Sequence, residues 1–362
     1  MKAAKPTLIV AGGGTGGHVA AGLAIADEWK KRHGEGSVVF VGARGGIEER
    51  LVTRAGYPLR LLHLGSLKRV SLARRLRTLL QLPLSLIRSK LWLLAIRPKA
   101  VVGVGGYASG PLVLMARLTG FLWGVRVAIL EQNAVPGLTN RILGYFAHEV
   151  FAAFPGLERS FGSQKLVLTG NPVRESMRFQ SPPSLKPFGL FIFGGSQGAQ
   201  AINTLVIEAL PHLKERAAEI RFVHQTGERD HERVAEAYRN GGLEARVEKF
   251  IYDMPECYQA ASLVICRSGS STLSEVAAVG RPAILIPFPF AADNHQEHNA
   301  RIFEKAGAGI VMLQSEASGK MLADLILGLM SGRSGDLSLM SEKARGLHHD
   351  RCAALIVDRL SV

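Results

Sequence analysis

The stretch "AGGGTGGH" at residues 11–18 and its near-relative "FGGSQGAQ" at residues 193–200 decide how this chain folds. Each closes a short apolar, β-favouring run with a cluster of glycines and then opens a helix-length segment. Glycines there permit a tight turn and let a ligand approach the backbone, and the N–H groups at a helix start favour an anion. One such turn is often a close-packed crossover and no more, and "GGGTGG" is not a GxGxxG turn followed by a convincing ribose acid, as a dinucleotide site needs. Two of them, each after the first strand-like run of its own series, say more.

Working outward from the first turn, the strand-like runs are "TLIVAG", "SVVFVG", "RLLHLG", "AVVGVGG", "RVAILE", "EVFAAF" and "LVLTGN". From the second they are "GLFIFGG", "IRFVHQTG", "ARVEKFI", "SLVICRSG", "PAILIP" and "GIVML". Continuous apolar strands alternating with helices imply parallel sheets covered on both faces. The expected fold is α/β, two doubly wound parallel-sheet domains over residues 1–172 and 187–340. The segment 173–186, with Pro182 and Pro183 and Pro187 just beyond, reads as a linker. Residues 341–362 read as a final helix that could pack on either domain.

The gross numbers agree. A chain of 362 residues exceeds one ordinary core. Its 44 Lys and Arg against 30 Asp and Glu predict attraction to something anionic: nucleic acid, anionic lipid or a phosphorylated substrate. Cys257, Cys266 and Cys352 have no metal spacing and read as reduced, mostly buried thiols. The apolar run after Lys2 and Lys5 is too short for an export signal. No stretch reaches the roughly 18 apolar residues that span a bilayer. The expected compartment is the cytoplasm.

"CRSGSSTLSEVAAVG" (266–280) reads as a strand, a Ser/Gly turn and a helix starting near Ser270, Ser271 and Thr272. Hydroxyls and N–H groups at that start can bind phosphate, and Glu275, one turn in, can accept from both hydroxyls of a ribose. The plainer alternative is that Ser271 and Glu275 serve only the electrostatics of a helix start. Together with "GGSQGA" the segment describes a site for a nucleoside-diphosphate sugar.

In order and spacing, "AGGGTGGH", "GVGGYASGP", "EQNAVPGLTN", "TGNPVR", "GGSQGA", "CRSGSSTLSE" and "DNHQEHNA" resemble the MurG family of cell-wall glycosyltransferases over nearly the whole chain. The resemblance implies a GT-B fold, two Rossmann-like domains facing an interdomain cleft. It implies inverting transfer of N-acetylglucosamine from UDP-GlcNAc to undecaprenyl-pyrophosphoryl-MurNAc-pentapeptide, with no cofactor. It puts the donor on Ser196 and Gln197 at the phosphates, Ser270, Ser271 and Thr272 at the helix start, Ile251 against uracil through its backbone, and Glu275 on the ribose. Gln296, Asn133 and Arg174 would contact the sugar, with Thr15, Gly16 and Gly17 also on the donor. The acceptor would lie on Gly14, Thr15, Gly16, Gly17, His18, Gly105, Gly106 and Tyr107. Where the family often has an aromatic–Pro pair after the histidine, this chain has Ala20 and Ala21, which alters the entry to the first helix. The implied location is the cytoplasmic face of the inner membrane, with other cell-wall enzymes as further partners and no nucleic acid.

Inverting transfer needs a base for the acceptor hydroxyl and positive groups or dipoles for the leaving diphosphate. His18 is the first candidate base; its alternative is a helix-start residue that orders the glycine turn, with Glu131 or Tyr107 relaying the proton instead. No D-x-D occurs, so helix starts at Ser196 and Ser270–Thr272, rather than a metal, are expected to meet the diphosphate. His295 stands next to Gln296 and could reach the sugar, whereas His63, His212 and His348 read as surface or packing residues. Residues 66–99 hold nine Lys and Arg and no acid, interleaved with Leu72, Leu76, Leu79, Pro83, Ile87, Leu91 and Leu94. That pattern, with Pro83 as a break, suits an anionic leaflet; its alternative is a core-facing helix pair with a solvated basic face. Trp92 and Trp123 fit either interfacial anchoring or packing. Two other classes remain at this point: an epimerase of the same fold, sharing the donor site, and a basic non-catalytic binder.

Overall fold

All thirteen strand-like runs form strands in a computed structural model, which describes residues 7–64 and 72–362, with the backbone alone for 72–79. The chain divides into two units, Met1–Arg174 with Arg351–Val362, and Glu175–Asp350. In the first, β1 (Leu8–Gly12), β2 (Val38–Ala43), β3 (Leu59–Leu62), β4 (Ala100–Gly105), β5 (Arg126–Glu131), β6 (Glu149–Ala152) and β7 (Leu166–Leu168) form one parallel sheet. Its order is β3-β2-β1-β4-β5-β6-β7. The chain leaves β1 toward β2 on one side and returns beside it as β4 on the other, so the order reverses at β1/β4. Crevices at such switch points, outside the carboxyl ends of the strands, are where open α/β sheets bind ligands.

Both faces of this sheet are covered because successive side chains point opposite ways. Leu8, Val10, Val102, Val104 and Leu130 meet Val19, Ile25 and Trp29 of the helix Gly16–His33 and Ile356, Val357 and Leu360 of the helix Cys352–Ser361. Ile9, Ala11, Val101 and Ile129 meet Leu112 and Val113 of the helix Ser109–Thr119 and Leu93 of the helix Leu72–Ile96.

The second unit repeats the plan. Its strands β8 (Phe188–Phe193), β9 (Ile220–Gln225), β10 (Ala245–Glu248), β11 (Leu263–Cys266), β12 (Ala283–Leu285) and β13 (Gly309–Val311) order as β10-β9-β8-β11-β12-β13, all parallel. The reversal falls at β8/β11. Cys257, Cys266 and Cys352 are buried and none is in a disulfide.

Two expectations need correction. Residues 341–362 are not one helix: Leu337–Gly346 belongs to the second unit, with Leu337 and Met340 in its core, and Cys352–Ser361 belongs to the first. The intervening "LHHDR" has no apolar period to continue either helix. Pro83 does not break its helix, which runs through from Leu72 to Ile96. Pro83 lies on the exposed side, opposite the buried Ser85, Ser89 and Leu93. Packing of that inner face outweighs the roughly 3 kcal/mol that an interior proline costs. Lys68, Arg69 and the side chains of Leu72, Arg74, Arg75, Leu76, Arg77 and Leu79 lie outside the described residues.

Because Ile356 is fully buried against the first sheet, Ile356→Ala is expected to destabilise the first unit by about 2–5 kcal/mol. Calorimetry should show that loss in one transition while the second unit melts unchanged; a variant as stable as the parent would mean that the helix Cys352–Ser361 does not stay on the first sheet in solution.

Candidate functional site

The first glycine turn leaves β1 where its register with β4 shifts, so that Gly12 pairs with Gly105. Gly12 has φ +148°, and a Cβ there would lie 2.3 Å from the Gly105 carbonyl oxygen, so only glycine fits. The Gly13 N–H donates to the same carbonyl at 3.1 Å. Thr15 then caps the helix Gly16–His33, its side chain accepting the His18 N–H at 3.3 Å. The His18 ring turns back: Nδ1 lies 2.9 Å from the Gly13 carbonyl oxygen. A carbonyl only accepts, so Nδ1 carries the proton and the neutral ring has its lone pair on Nε2. A Cβ on Gly105 would come within 2.8 Å of that Nε2. Gly14–His18 and Gly105–Tyr107 are thus brought together at the β1/β4 switch point, with Gly14, Thr15 and Gly16 exposed and His18 and Tyr107 half-buried.

The structure gives Glu131 a task other than proton relay. It is buried at the end of β5, and its two oxygens accept from Asn133 N–H (2.9 Å), Asn140 Nδ2 (2.9 Å) and Gly137 N–H (3.2 Å). Burial pushes its carboxyl above the usual range, and those hydrogen bonds oppose the shift. It holds the "QNAVPG" loop in shape, and with it Asn133. Arg174 is exposed beyond β7. Trp92 and Trp123 are packing residues, half-buried against the core, with the Trp123 indole N–H donated to the Pro98 carbonyl at 3.0 Å.

In the second unit, Ser196 and Gln197 are exposed at the end of β8, just before the helix Gln200–Leu213. Ser270, Ser271 and Thr272 open the helix Ser270–Val279 at the end of β11, with Gly269 as its N-cap. The two turns therefore flank the second switch point. Glu275 accepts a hydrogen bond from the Tyr258 hydroxyl at 3.2 Å. Ile251 is buried, and its N–H donates to Gln225 Oε1 at 2.8 Å, so any backbone contact it makes with a base falls to its carbonyl. Gln296 is tied in twice: its carbonyl accepts from Ser268 Oγ at 2.8 Å and its side chain accepts the Phe288 N–H at 3.0 Å. His295 Nδ1 is engaged with the Ala292 carbonyl at 2.7 Å.

Three residues that sequence reading passes over organise these turns. Buried Glu48 accepts the N–H groups of Gly14 and Ala43 at 2.9 and 2.8 Å. Buried Gln225, at the end of β9, also donates to the Gly195 carbonyl at 2.9 Å, stitching the glycine turn after β8 to Ile251. Arg267 bonds the Ile286 and Pro287 carbonyls and Gln314, and burial pushes its guanidinium down to about 10. The available signal was weak: Gln225 ends a strand, and Glu48 follows Gly42, Gly45 and Gly46.

Two doubly wound parallel sheets, each with a glycine or serine turn on both sides of its switch point, define the GT-B class of glycosyltransferase fold. The chain belongs to glycosyltransferase family 28, matching that family's N-terminal domain over residues 8–152 and its C-terminal domain over 189–354. It is 45% identical, over 97% of each chain, to the UDP-N-acetylglucosamine--N-acetylmuramyl-(pentapeptide) pyrophosphoryl-undecaprenol N-acetylglucosamine transferase of Syntrophus aciditrophicus. The crystal structure of Acinetobacter baumannii MurG is 31% identical, with a TM-score of 0.76 and 98% of each chain covered. The UDP-GlcNAc 2-epimerase of Neisseria meningitidis, at 12% identity and a TM-score of 0.66 over 98% of this chain and 99% of that one, shares the fold alone.

Gln225→Leu leaves the buried Ile251 N–H unpaired, at a cost of about 1–3 kcal/mol, and unties it from the Gly195 carbonyl, which keeps only the Gly198 N–H. Calorimetric titration should show UDP bound more weakly; affinity equal to the parent's would mean that Gln225 does not shape the nucleotide site.

Proposed function

We propose that this protein transfers N-acetylglucosamine from UDP-GlcNAc to the 4-hydroxyl of the muramoyl sugar in undecaprenyl-pyrophosphoryl-MurNAc-pentapeptide, releasing UDP. The observation that carries the reading is identity of 45% over 97% of both chains with an enzyme named for that activity. The acceptor oxygen forms the new bond to C1 as the bond from C1 to the diphosphate oxygen breaks, which inverts the anomeric centre. His18 Nε2 takes the hydroxyl proton; what supports this is the Nδ1–H tautomer set by the Gly13 carbonyl. The departing diphosphate is met by N–H groups and hydroxyls at Ser196 and at Ser270–Thr272 rather than by a metal ion. Glu275 holds the ribose hydroxyls and the Ile251 carbonyl the uracil N–H. Gln296, Asn133 and Arg174 serve the sugar.

The lipid-linked acceptor brings the enzyme to the cytoplasmic face of the inner membrane as a peripheral protein. Among the described residues no helix is long and apolar enough to cross a membrane. What supports surface attachment is the outward face of the helix Leu72–Ile96. Leu80, Leu84, Ile87 and Leu91, at helical spacing, are 73, 49, 56 and 59% exposed, with Lys90 exposed beside them, and Phe121 is 72% exposed on the turn Gly120–Leu122. Water-exposed leucines at that spacing fit the interface of a leaflet, where each basic residue adds about 1 kcal/mol with anionic lipid.

Labelled UDP-GlcNAc with a short-chain lipid-linked acceptor should give labelled glycolipid, undiminished by EDTA. His18→Ala should cut turnover by roughly 10²–10⁴ with UDP affinity unchanged. Strong inhibition by EDTA would overturn the metal-free reading, and an isomerised UDP-sugar with no glycolipid would mark an epimerase instead.

Replacing Ile87 and Leu91 together with Gln should release the protein from anionic vesicles while activity on a water-soluble acceptor survives. Unchanged sedimentation with vesicles would move the attachment site elsewhere.

A further inference from the structure

Glu48 reaches His18 through a single peptide group. Its Oε2 accepts the Gly14 N–H at 2.9 Å, and the carbonyl of that same peptide, Gly13 C=O, accepts the His18 Nδ1–H at 2.9 Å. A trans peptide directs its N–H and C=O oppositely, so the carboxylate sits at one end of one amide dipole and the imidazole at the other. Oε1 accepts the Ala43 N–H at 2.8 Å, which ties the carboxylate to the end of β2. Negative charge at the N–H end draws amide electron density toward oxygen and strengthens it as the acceptor for Nδ1–H.

The surroundings are built for this contact. Glu48 is 1% exposed, and burying a carboxylate costs several kcal/mol unless hydrogen bonds satisfy it. A Cβ on Gly13, Gly42 or Gly46 would fall 2.2, 2.5 or 2.3 Å from its side chain, so three glycines leave it room. Glu48 is also in the first turn of the helix Ile47–Arg54, where an acid is ordinarily favourable. A helix-start role alone would leave the side chain at its own helix, yet it turns to an amide 34 residues earlier in the chain. A second backbone lock acts on the same peptide: Gly106, at φ +83°, has no Cβ where one would come within 2.4 Å of the Gly13 oxygen.

We propose that Glu48 is a positioning residue for His18, acting through the Gly13–Gly14 peptide to hold the imidazole in the tautomer that presents Nε2 as the base. The proposal rests on the reading of His18 as that base. It extends the familiar arrangement in which a carboxylate orients a histidine directly by interposing one backbone amide.

The test uses full-length protein with ¹⁵N-labelled histidine. The parent's His18 should carry its proton on Nδ1. Glu48→Gln offers one acceptor oxygen for two N–H donors; it should shift the ring toward the Nε2–H tautomer and lower kcat by about 10- to 100-fold. KM for UDP-GlcNAc should stay within about twofold, since both hydrogen-bond partners of Glu48, the Gly14 and Ala43 N–H groups, belong to the first unit, a split that general loosening of the fold would not give. A parent ring protonated on Nε2, a variant ring still protonated on Nδ1, or an unchanged kcat each overturns the proposal. If Glu48→Gln does not fold, Glu48→Asp, which keeps the charge but withdraws it from Gly14, decides on the same readouts. Full activity in His18→Ala would instead sink the base assignment, and the ring tautomer in Glu48→Gln would still decide separately whether the carboxylate acts on His18 through the peptide.

Discussion

A parallel strand must pass its chain to a helix at its carboxyl end, and where the strand order reverses, neighbouring chains turn away to opposite sides. That constraint, met once in each sheet, generates the candidate site. At β1/β4 and again at β8/β11 it leaves a crevice edged by backbone rather than by side chains. The backbones approach so closely that a single methyl group would not fit. A Cβ on Gly12 would lie 2.3 Å from the Gly105 carbonyl oxygen at β1/β4, and beside the second switch point, between the ends of β8 and β9, one on Gly198 would lie 1.9 Å from that of Thr226. The glycines are therefore a packing requirement first, and the anion-binding character of the turns follows from the N–H groups that the packing exposes.

Such turns carry more donors than secondary structure can satisfy, and buried amide groups without partners are costly. In this protein buried polar side chains absorb the surplus. Glu48 takes two N–H groups beneath the first turn, Glu131 takes those of Asn133 and Gly137 in the next loop, and Gln225 pairs one carbonyl and one N–H in the second unit. Each behaves as an internal template around which a loop sets. Two of the buried acids, Glu48 and Glu131, thus serve geometry, while Glu275 on the helix Ser270–Val279 is half-buried.

The helix Leu72–Ile96 shows the reverse economy. Among its described side chains, Ser85, Ser89 and Leu93 are buried, whereas Leu80, Leu84, Ile87 and Leu91 are exposed. A helix that served only to cover a sheet would be patterned the other way. Small residues inside let it lie close to its neighbour, and an outward apolar stripe of this kind is what the proposed surface attachment rests on.

What the sequence determined by itself was the plan: thirteen strands, two doubly wound sheets and the glycine and serine turns at their strand ends. These follow from local causes, apolar runs of strand length and glycines that turns demand, which neighbouring residues reveal. Pro83 and residues 341–362 depart from the sequence expectation because propensity is local while packing is not. A proline is tolerated when the opposite face is anchored, and two short helices can follow one another into different cores. The roles of Glu48, Glu131 and Gln225 belonged wholly to the tertiary structure. Their partners lie on other strands and loops, up to 34 residues away, and nothing in a carboxylate's or an amide's own neighbourhood tells which distant N–H group it will meet.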